Sequence, residues 1–170
     1  EYAISCQNKD GFFKNNGFYN DSLSYTHTIA YAIRGIWEAG RLESNDKWLS
    51  SALKGYKHVV DFTQKNGFLA GSFDKGYEPN NSFCCLTGNA QLSIIGFKIY
   101  EEIKDEYFFT KARQLLEYVK RVQLFSNNKL ISGGITGSWP LSGKYSSFKI
   151  PNWSGKFFID ALIYEDSLKM

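Results

Sequence analysis

Apolar residues recur at helical spacing in five stretches of this chain, and the gaps between the stretches alternate between very short and very long. From Thr26 to Leu42, Ala30, Ile33, Ile36 and Trp37 share one face of a helix. From 46 to 64, Leu49, Ala52, Leu53, Tyr56, Val59, Val60 and Phe62 repeat the pattern. A third helix is predicted over 87–103 through Ile94, Ile95, Phe97, Ile99 and Ile103, a fourth over 106–123, and a fifth over 152–168 after Pro151. Residues 1–7 read as the end of a further helix. Thr26 or Thr28, and Asn45 or Asp46, are the expected caps. The connections at 42–46 and 103–106 are a few residues long, whereas those at 8–25, 65–86 and 124–151 are polar and rich in Gly, Asn and aromatic residues. Long ordered loops usually carry function. All three stand at the same point of the pattern, so they are predicted to gather at one end of the helical stack.

The loops also open alike. Gln7-Asn8-Lys9-Asp10-Gly11-Phe12 is echoed by Gln64-Lys65-Asn66-Gly67-Phe68, and more weakly by Gln123 followed by Lys129-Leu130 and Gly133-Gly134. Recurrence at roughly sixty residues marks a repeat architecture whose unit is a helical hairpin and one long loop. The Gln-x-x-Gly-aromatic element is clearest where Ala52-x-x-x-Tyr56 runs on to Gln64-x-x-Gly67-Phe68. It resembles the QW-type repeat of the α/α-toroid superfamily, which includes six-hairpin glycosidases, polysaccharide lyases, terpenoid cyclases, prenyltransferase β-subunits and lanthionine synthetase cyclases. The resemblance spans the whole chain as architecture and implies an all-α fold, an inner ring of helices wrapped by an outer one. On that analogy the helices at 26–42, 87–103 and 152–168 are inner, those at 46–64 and 106–123 are outer, and the long loops line the mouth. The chain supplies about two and a half hairpins, so residues 1–170 read as one toroid domain fragment, the C-terminal part of a larger ring.

Composition narrows the partners. With 43% hydrophobic residues in 170, the chain can fill a core. The net charge of +3 comes from scattered basic residues, not a nucleic-acid-binding stripe. No apolar run reaches the length of a membrane span, and no secretory signal is present. Cys6, Cys84 and Cys85 are odd in number and read as reduced thiols in a cytoplasmic protein. The sole methionine is Met170, so the sequence reads as starting after its natural beginning. The Asn-x-Ser/Thr triplets at Asn20, Asn80 and Asn152 carry no weight in an Asn-rich chain.

Inner-helix N-termini would point free N–H groups at a ligand in the mouth. Three polar clusters stand there: Tyr25-Thr26-His27-Thr28, Thr87-Gly88-Asn89-Ala90-Gln91, and Asn152-Trp153 with Lys156 and Asp160. His27, Tyr31 and Arg34 share a helix face, as do Lys156 and Asp160. His27 is the candidate acid or base, with Asp74 and Asp160 as carboxylate partners of the kind glycoside hydrolysis requires. Arg34, Asn89, Gln91, Trp139, Tyr145, Asn152, Trp153 and Lys156 are the candidate substrate-binding residues, Trp139 and Trp153 by stacking on sugar rings. Phe12, Phe13, Phe18, Tyr19, Tyr25, Phe68, Phe73 and Tyr77 add rings to the loops. The competing structural roles are an ordinary ion pair for Lys156 and Asp160, a turn for Asp74, and loop packing for most of the rings. Gly133-Gly134-Ile135-Thr136-Gly137-Ser138 lacks the Lys-Ser/Thr ending of a phosphate loop and reads as backbone passing close to a ligand or another loop.

The resemblance also brings a second chemistry, zinc held by Cys and His at the mouth. Cys85-Leu86-Thr87-Gly88 is loosely similar to the Cys-His-Gly element of the lanthionine cyclases, with Leu and Thr where the histidine should be. The first reading is therefore a carbohydrate-processing toroid without a cofactor, a hydrolase, lyase or epimerase-like enzyme acting on a bacterial polysaccharide or oligosaccharide. The alternatives are a zinc-dependent cyclase-like toroid and a non-catalytic carbohydrate- or protein-binding scaffold. Apolar inner-helix faces left open at both ends predict self-association.

Overall fold

The computed structural model describes residues 1–18 and 23–168; Tyr19, Asn20 and Met170 lie outside the described residues. A single turn, α1 (Tyr2–Ser5), is followed by β1 (Ser24–Tyr25), α2 (Thr26–Leu42) and α3 (Asp46–Val60). Then come β2 (Ser72–Phe73), β3 (Cys84–Cys85), α4 (Leu86–Ile103), α5 (Glu106–Arg121), β4 (Ser138–Trp139) and α6 (Asn152–Ser167). The five long helices stand where the apolar periodicity puts them. The second ends four residues short of Gln64, because Phe62 N–H and Thr63 N–H turn back to the carbonyls of Val59 and Val60 at 3.3 and 3.0 Å.

The helices form two layers. α4 lies between α2 and α6, while α3 and α5 pack behind them. α4 is buried without a break from Leu86 to Phe97, as a helix enclosed on every side must be. α3 and α5 bury one stripe each and run from an acidic first turn to a basic last turn. One core cluster joins α2, α3 and α4 through Ile29, Ile33, Trp37, Tyr56, Val59, Ile95 and Ile99. A second joins α4, α5 and α6 through Ile94, Phe97, Leu116, Val119, Phe157, Phe158 and Ala161.

The repeated Gln-to-Gly element has a physical explanation in the outer layer. Gln64 N–H donates to the Phe68 carbonyl at 2.9 Å, and Asn8 N–H donates to that of Phe12 at 2.8 Å. Both loops close through a glycine of positive φ, Gly11 at 109° and Gly67 at 84°. Each presses its bare Cα on the next outer helix: a Cβ on Gly11 would stand 2.8 Å from the Lys54 carbonyl oxygen of α3, and one on Gly67 would collide with the Gln114 carbonyl of α5. Only glycine fits a left-handed backbone against a helix wall. The third copy, Gly133, has the same backbone at 83° but meets only its own loop's Gln123 side chain at 3.9 Å.

The two kinds of helix start differently. Asn45 and Asp105 cap the outer helices, accepting from Trp48 N–H at 3.2 Å and Tyr107 N–H at 3.0 Å. The inner helices begin after Tyr25, Cys85 and Pro151, and none of these makes a side-chain cap bond. The expected threonine caps do other work: Thr26 Oγ1 donates to the Ala70 carbonyl at 2.5 Å, and Thr28 Oγ1 to that of Asn16 at 2.6 Å. At α2 and α4 the first N–H group is met by the loop that follows the next hairpin in sequence. Thr26 N–H donates to Gly71 C=O and Leu86 N–H to Gly137 C=O, each at 3.1 Å. Beyond these bonds Ser24–Tyr25 pairs antiparallel with Ser72–Phe73, and Cys84–Cys85 with Ser138–Trp139. The shared Gly-Ser-aromatic triplets at 71–73 and 137–139 are thus one device used twice.

The layers approach closely at Gly96, where a Cβ would collide with the Tyr56 hydroxyl and stand 2.8 Å from Ala112 Cβ. Tyr56 is fully buried and cannot swing aside. Gly96→Ala should therefore destabilise the fold by about 1–3 kcal/mol despite the better helix propensity of alanine. Urea unfolding followed by circular dichroism checks this, and a variant as stable as the wild type would refute the close-approach account.

Candidate functional site

The three inner helices begin side by side. A Cβ on Gly88 of α4 would lie 2.9 Å from the His27 backbone nitrogen of α2, and Thr87 Oγ1 is 2.6 Å from Ser154 Oγ of α6. His27, Thr87 and Trp153 each occupy the second position of their helix. Over this junction lies the third loop, whose Tyr145 backbone is clamped by Ser138: Ser138 Oγ donates to Tyr145 C=O at 2.6 Å and accepts from Tyr145 N–H at 3.2 Å. Glycines let the loop fold this tightly, since a Cβ on Gly143 would stand 2.5 Å from Ser138 Cβ, and one on Gly137 2.6 Å from Ser146 Cβ. The glycine-rich stretch thus packs on its own loop and, through Gly137 and Ser138, on the Cys84–Cys85 strand of the preceding loop.

The result is a run of rings across the junction. The His27 and Tyr145 centroids are 4.2 Å apart and inclined by 34°, and Trp153 Nε1 donates to the Tyr145 hydroxyl at 2.8 Å. Phe18 and Tyr25 flank His27 at 5.3 and 6.0 Å, and Tyr31 meets it edge-on at 6.4 Å before touching Phe157 of α6 at 6.0 Å. Trp153 and Tyr31 remain about half exposed, so the run presents ring surface to solvent. Planar faces edged by hydroxyl and N–H groups can hold an apolar ring face and bond polar substituents around it.

Beneath the rings, Cys85 Sγ lies 3.8 Å from His27 Nδ1. Burial lowers the His27 pKa to about 4 and raises the Cys85 thiol to about 12. Both are neutral at neutral pH, so this is a thiol–imidazole contact and no thiolate–imidazolium pair. Cys84 faces the other way, its thiol donating to Asn89 Oδ1 at 3.3 Å. Among the described residues no three His, Cys, Asp or Glu side chains come together as metal ligands. Of the zinc ligands considered from the sequence, only His27 and Cys85 approach each other.

The remaining sequence candidates disperse. Asn89 points toward the outer layer, where its Nδ2 donates to Gly67 C=O at 3.1 Å. Gln91 lies one turn along α4 from Thr87, buried, with Oε1 unpartnered among the described residues. Arg34 is two turns from His27, about 10 Å along the axis. There Glu38 gathers Arg34, Arg41 and Lys98 at 3.9, 3.5 and 2.7 Å. Asp74 is tied into its own turn, its Oδ1 accepting from Gly76 N–H at 2.7 Å and Glu78 N–H at 3.0 Å. Lys156 and Asp160 form an exposed pair at 2.5 Å, and Asn152 is exposed at the start of α6. Trp139, in β4, packs against the second core cluster. So His27, Tyr145 and Trp153 come together, Asn152 begins at the same end, and the two aspartates stand apart from them. Thr87, Ser154 and Cys85 complete the junction; superimposing the three helix starts in the sequence would have singled out Thr87 beside His27 and Trp153.

No protein-family model and no curated protein sequence matches the chain. Solved structures do. An unsaturated glucuronyl hydrolase from Bacillus sp. GL1, described as responsible for the degradation of glycosaminoglycan, superposes with a TM-score of 0.74 at 16% identity over 95% of this chain and 49% of its own. A cellobiose 2-epimerase from Bacillus thermoamylovorans gives 0.65 at 18% identity, covering 96% and 45%. A sugar epimerase from a ruminal bacterium gives 0.67 at 14%, covering 95% and 44%. The chain has the fold of part of an α/α toroid. This chain spans about half the length of these toroids, and its three inner helices, α2, α4 and α6, are half of six. Along its length no described helix is long and apolar enough to cross a membrane.

The buried neutral imidazole makes the toroid's stability pH-dependent. A folded pKa near 4 against 6.5 when unfolded means that the unfolded chain binds the extra proton between these values. This contribution is fully present above pH 6.5 and declines as pH falls through 4, by of order 1 kcal/mol per pH unit. His27→Gln should flatten the loss of stability between pH 6.5 and 4 relative to the wild type. Urea midpoints at three pH values measure the difference, and parallel profiles would show that His27 does not titrate as described.

Proposed function

We propose that residues 1–170 act as one segment of a carbohydrate-processing α/α toroid, and that this segment contributes the ring-lined side of its mouth. The carrying observation is the His27–Tyr145–Trp153 run at the start of the inner helices. The half-exposed rings of Trp153 and Tyr31, beside the Tyr145 hydroxyl, suit a sugar with its apolar ring face and equatorial hydroxyls. The solved toroids that resemble this chain are named for glycosaminoglycan and disaccharide chemistry, and that supports the choice of ligand class by fold analogy. The substrate is a bacterial polysaccharide or oligosaccharide, and the reaction hydrolysis, elimination or epimerisation. The three free cysteines suit a reducing cytoplasm. The segment on its own is expected to self-associate, because apolar side chains of its inner layer such as Ile159 and Ile163 are exposed.

Within this reading His27 is the acid/base residue. Neutral at pH 7, it serves as a hydrogen-bond acceptor and base, a role closer to proton abstraction in an epimerase than to proton donation in a hydrolase. Asp74 and Asp160 keep the roles of turn and surface ion pair, so a carboxylate acting on the sugar comes from another part of the ring. A second reading, a non-catalytic carbohydrate-binding domain, is favoured by that same absence of a carboxylate among the side chains of the ring cluster.

Titration with a panel of neutral and uronic-acid oligosaccharides, followed by tryptophan fluorescence, is the test. Saturable binding is expected. Tyr145→Ala should weaken it by about 1 kcal/mol or more, roughly fivefold to tenfold in Kd, while Trp139→Phe leaves it nearly unchanged. Turnover of a bound saccharide that disappears in His27→Ala separates the enzyme from the binding domain. The proposal fails if no oligosaccharide binds, or if Tyr145→Ala binds as the wild type does.

A further inference from the structure

This chain's own helices stand on both sides of α4, and one face of α4 is turned away from the outer layer. Ser93 Oγ donates to the Ala112 carbonyl of α5 at 2.8 Å, and Gly96 abuts Tyr56 of α3, so these two residues mark the outward face. With about 100° between successive residues, Gln91 points the opposite way and shares its face with Lys98. Lys98 reaches both neighbours: its Nζ is 2.7 Å from Glu38 of α2 and 5.5 Å from the ring centre of Tyr164 of α6. Gln91 is 2% exposed, and its Oε1 has no hydrogen-bond partner among the described residues.

Two aromatic rings cover it. The inner helices run parallel, since their starts meet at Gly88–His27 and Thr87–Ser154, and farther along Lys98 meets Glu38 and Tyr164. One turn on from these starts, Tyr31 of α2, Gln91 of α4 and Phe157 of α6 stand at one level. The Tyr31 and Phe157 centroids are 6.0 Å apart and the rings inclined by 74°. Because α3 and α5 pack on the far side of α4, this bridge from α2 to α6 passes over Gln91. Tyr31 meets both Phe157 and His27 edge-on and is 53% exposed. A position that only had to fill space under two rings is better served by Leu or Met, because a buried amide oxygen left unbonded costs stability.

We propose that Gln91 is the floor of a second sugar subsite, which the Tyr31–Phe157 pair closes in the free protein. The inference rests on the carbohydrate reading above and extends that site one helical turn, about 6 Å, below Thr87. When a sugar enters, Tyr31 turns off the Phe157 edge and lays its face along the sugar ring. One hydroxyl then donates to Gln91 Oε1, while Gln91 Nε2 donates to the oxygen of the adjacent hydroxyl. An amide presents acceptor and donor side by side, as two adjacent hydroxyls do. The lining selects this occupant: aromatic walls suit the C–H face of a sugar, and a buried neutral amide suits its hydroxyls. A purely apolar ligand would leave Oε1 unbonded.

The test uses the panel of neutral and uronic-acid oligosaccharides with the wild type, Gln91→Met and Tyr145→Ala. Met keeps the length of the side chain and removes its polar atoms. Its urea midpoint should equal or exceed that of the wild type, since no hydrogen bond of Oε1 within the fold is lost. Its affinity for the saccharide bound by the wild type should fall about threefold to tenfold. In the wild type, a nuclear Overhauser contact is expected between the Gln91 Nε2 protons, assigned by their loss in Gln91→Met, and protons of the bound saccharide. That measurement does not depend on how the variant folds. The same Nε2 protons should exchange with water faster in Tyr31→Ala, and equal rates would refute the closure. A urea midpoint well below the wild type's overturns the subsite, because the amide's bonds then lie within the fold. So does the absence of the Overhauser contact. Binding that weakens in Tyr145→Ala but not in Gln91→Met overturns this subsite and leaves the proposed function standing. A wild type that binds no saccharide overturns both.

Discussion

Tyr25, Cys85 and Pro151 occupy the N-caps of α2, α4 and α6, and none of them offers a side-chain bond to the first N–H groups of its helix. At α2 and α4 those groups are buried, where an unmet donor costs on the order of 1–3 kcal/mol. The loops must therefore come to the helices. Gly71 and Gly137 accept from Thr26 and Leu86, and the short strand pairs built around Ser72 and Ser138 extend each contact. Much else follows from this debt of hydrogen bonds. It fixes the long loops over the start of the inner helices and brings Tyr145 onto His27. The outer helices, which start in solvent, need only Asn45 and Asp105.

The two ends of the inner layer differ in polarity for the same reason. At the start of the inner helices, burial holds His27 and Cys85 in their neutral forms. Deeper along the helices charge is carried as a partly exposed network. Glu38 is its hub, with Arg34, Arg41 and Lys98 around it, and Arg41 also reaches Glu102. Ring faces at one end and paired charges at the other give this half-toroid a direction.

Packing between the layers is as selective as the capping. Gly11 and Gly67 seat their loops on α3 and α5, and Gly96 seats α4 on Tyr56 and Ala112. Glu165 shows how a buried charge is accommodated in the same region: it is nearly inaccessible, yet Lys120 lies 2.8 Å away and Arg113 3.7 Å away. A carboxylate without these partners would be expelled or protonated. The pair locks α5 to the far end of α6, leaving the opposite side of α6 as the flank with Ile159 and Ile163.

The sequence alone determined the helices, their alternation with long loops, and the toroid architecture, because apolar periodicity and a recurring glycine are local signals that survive without coordinates. Even the reason for the repeat was encoded: Gly11 and Gly67 stand where a loop must touch a helix wall. Tyr145 and Trp153 were legible as ring candidates, and His27 as a polar residue opening an inner helix. What it did not determine is which polar groups meet. Asn89 and Gln91 looked equivalent to His27 from their positions near a helix start, but a helix buried on all sides points its residues in every direction, and Asn89 turns to Gly67. Asp74 lost its acid role to two backbone N–H groups of its own turn, and Asp160 to Lys156 one turn away. The contact of Cys85 with His27, 58 positions earlier, exists only because β3 and α2 are brought together by packing. Periodicity is a property of neighbours along the chain, whereas a site is a property of neighbours in space, and only the tertiary structure decides the second.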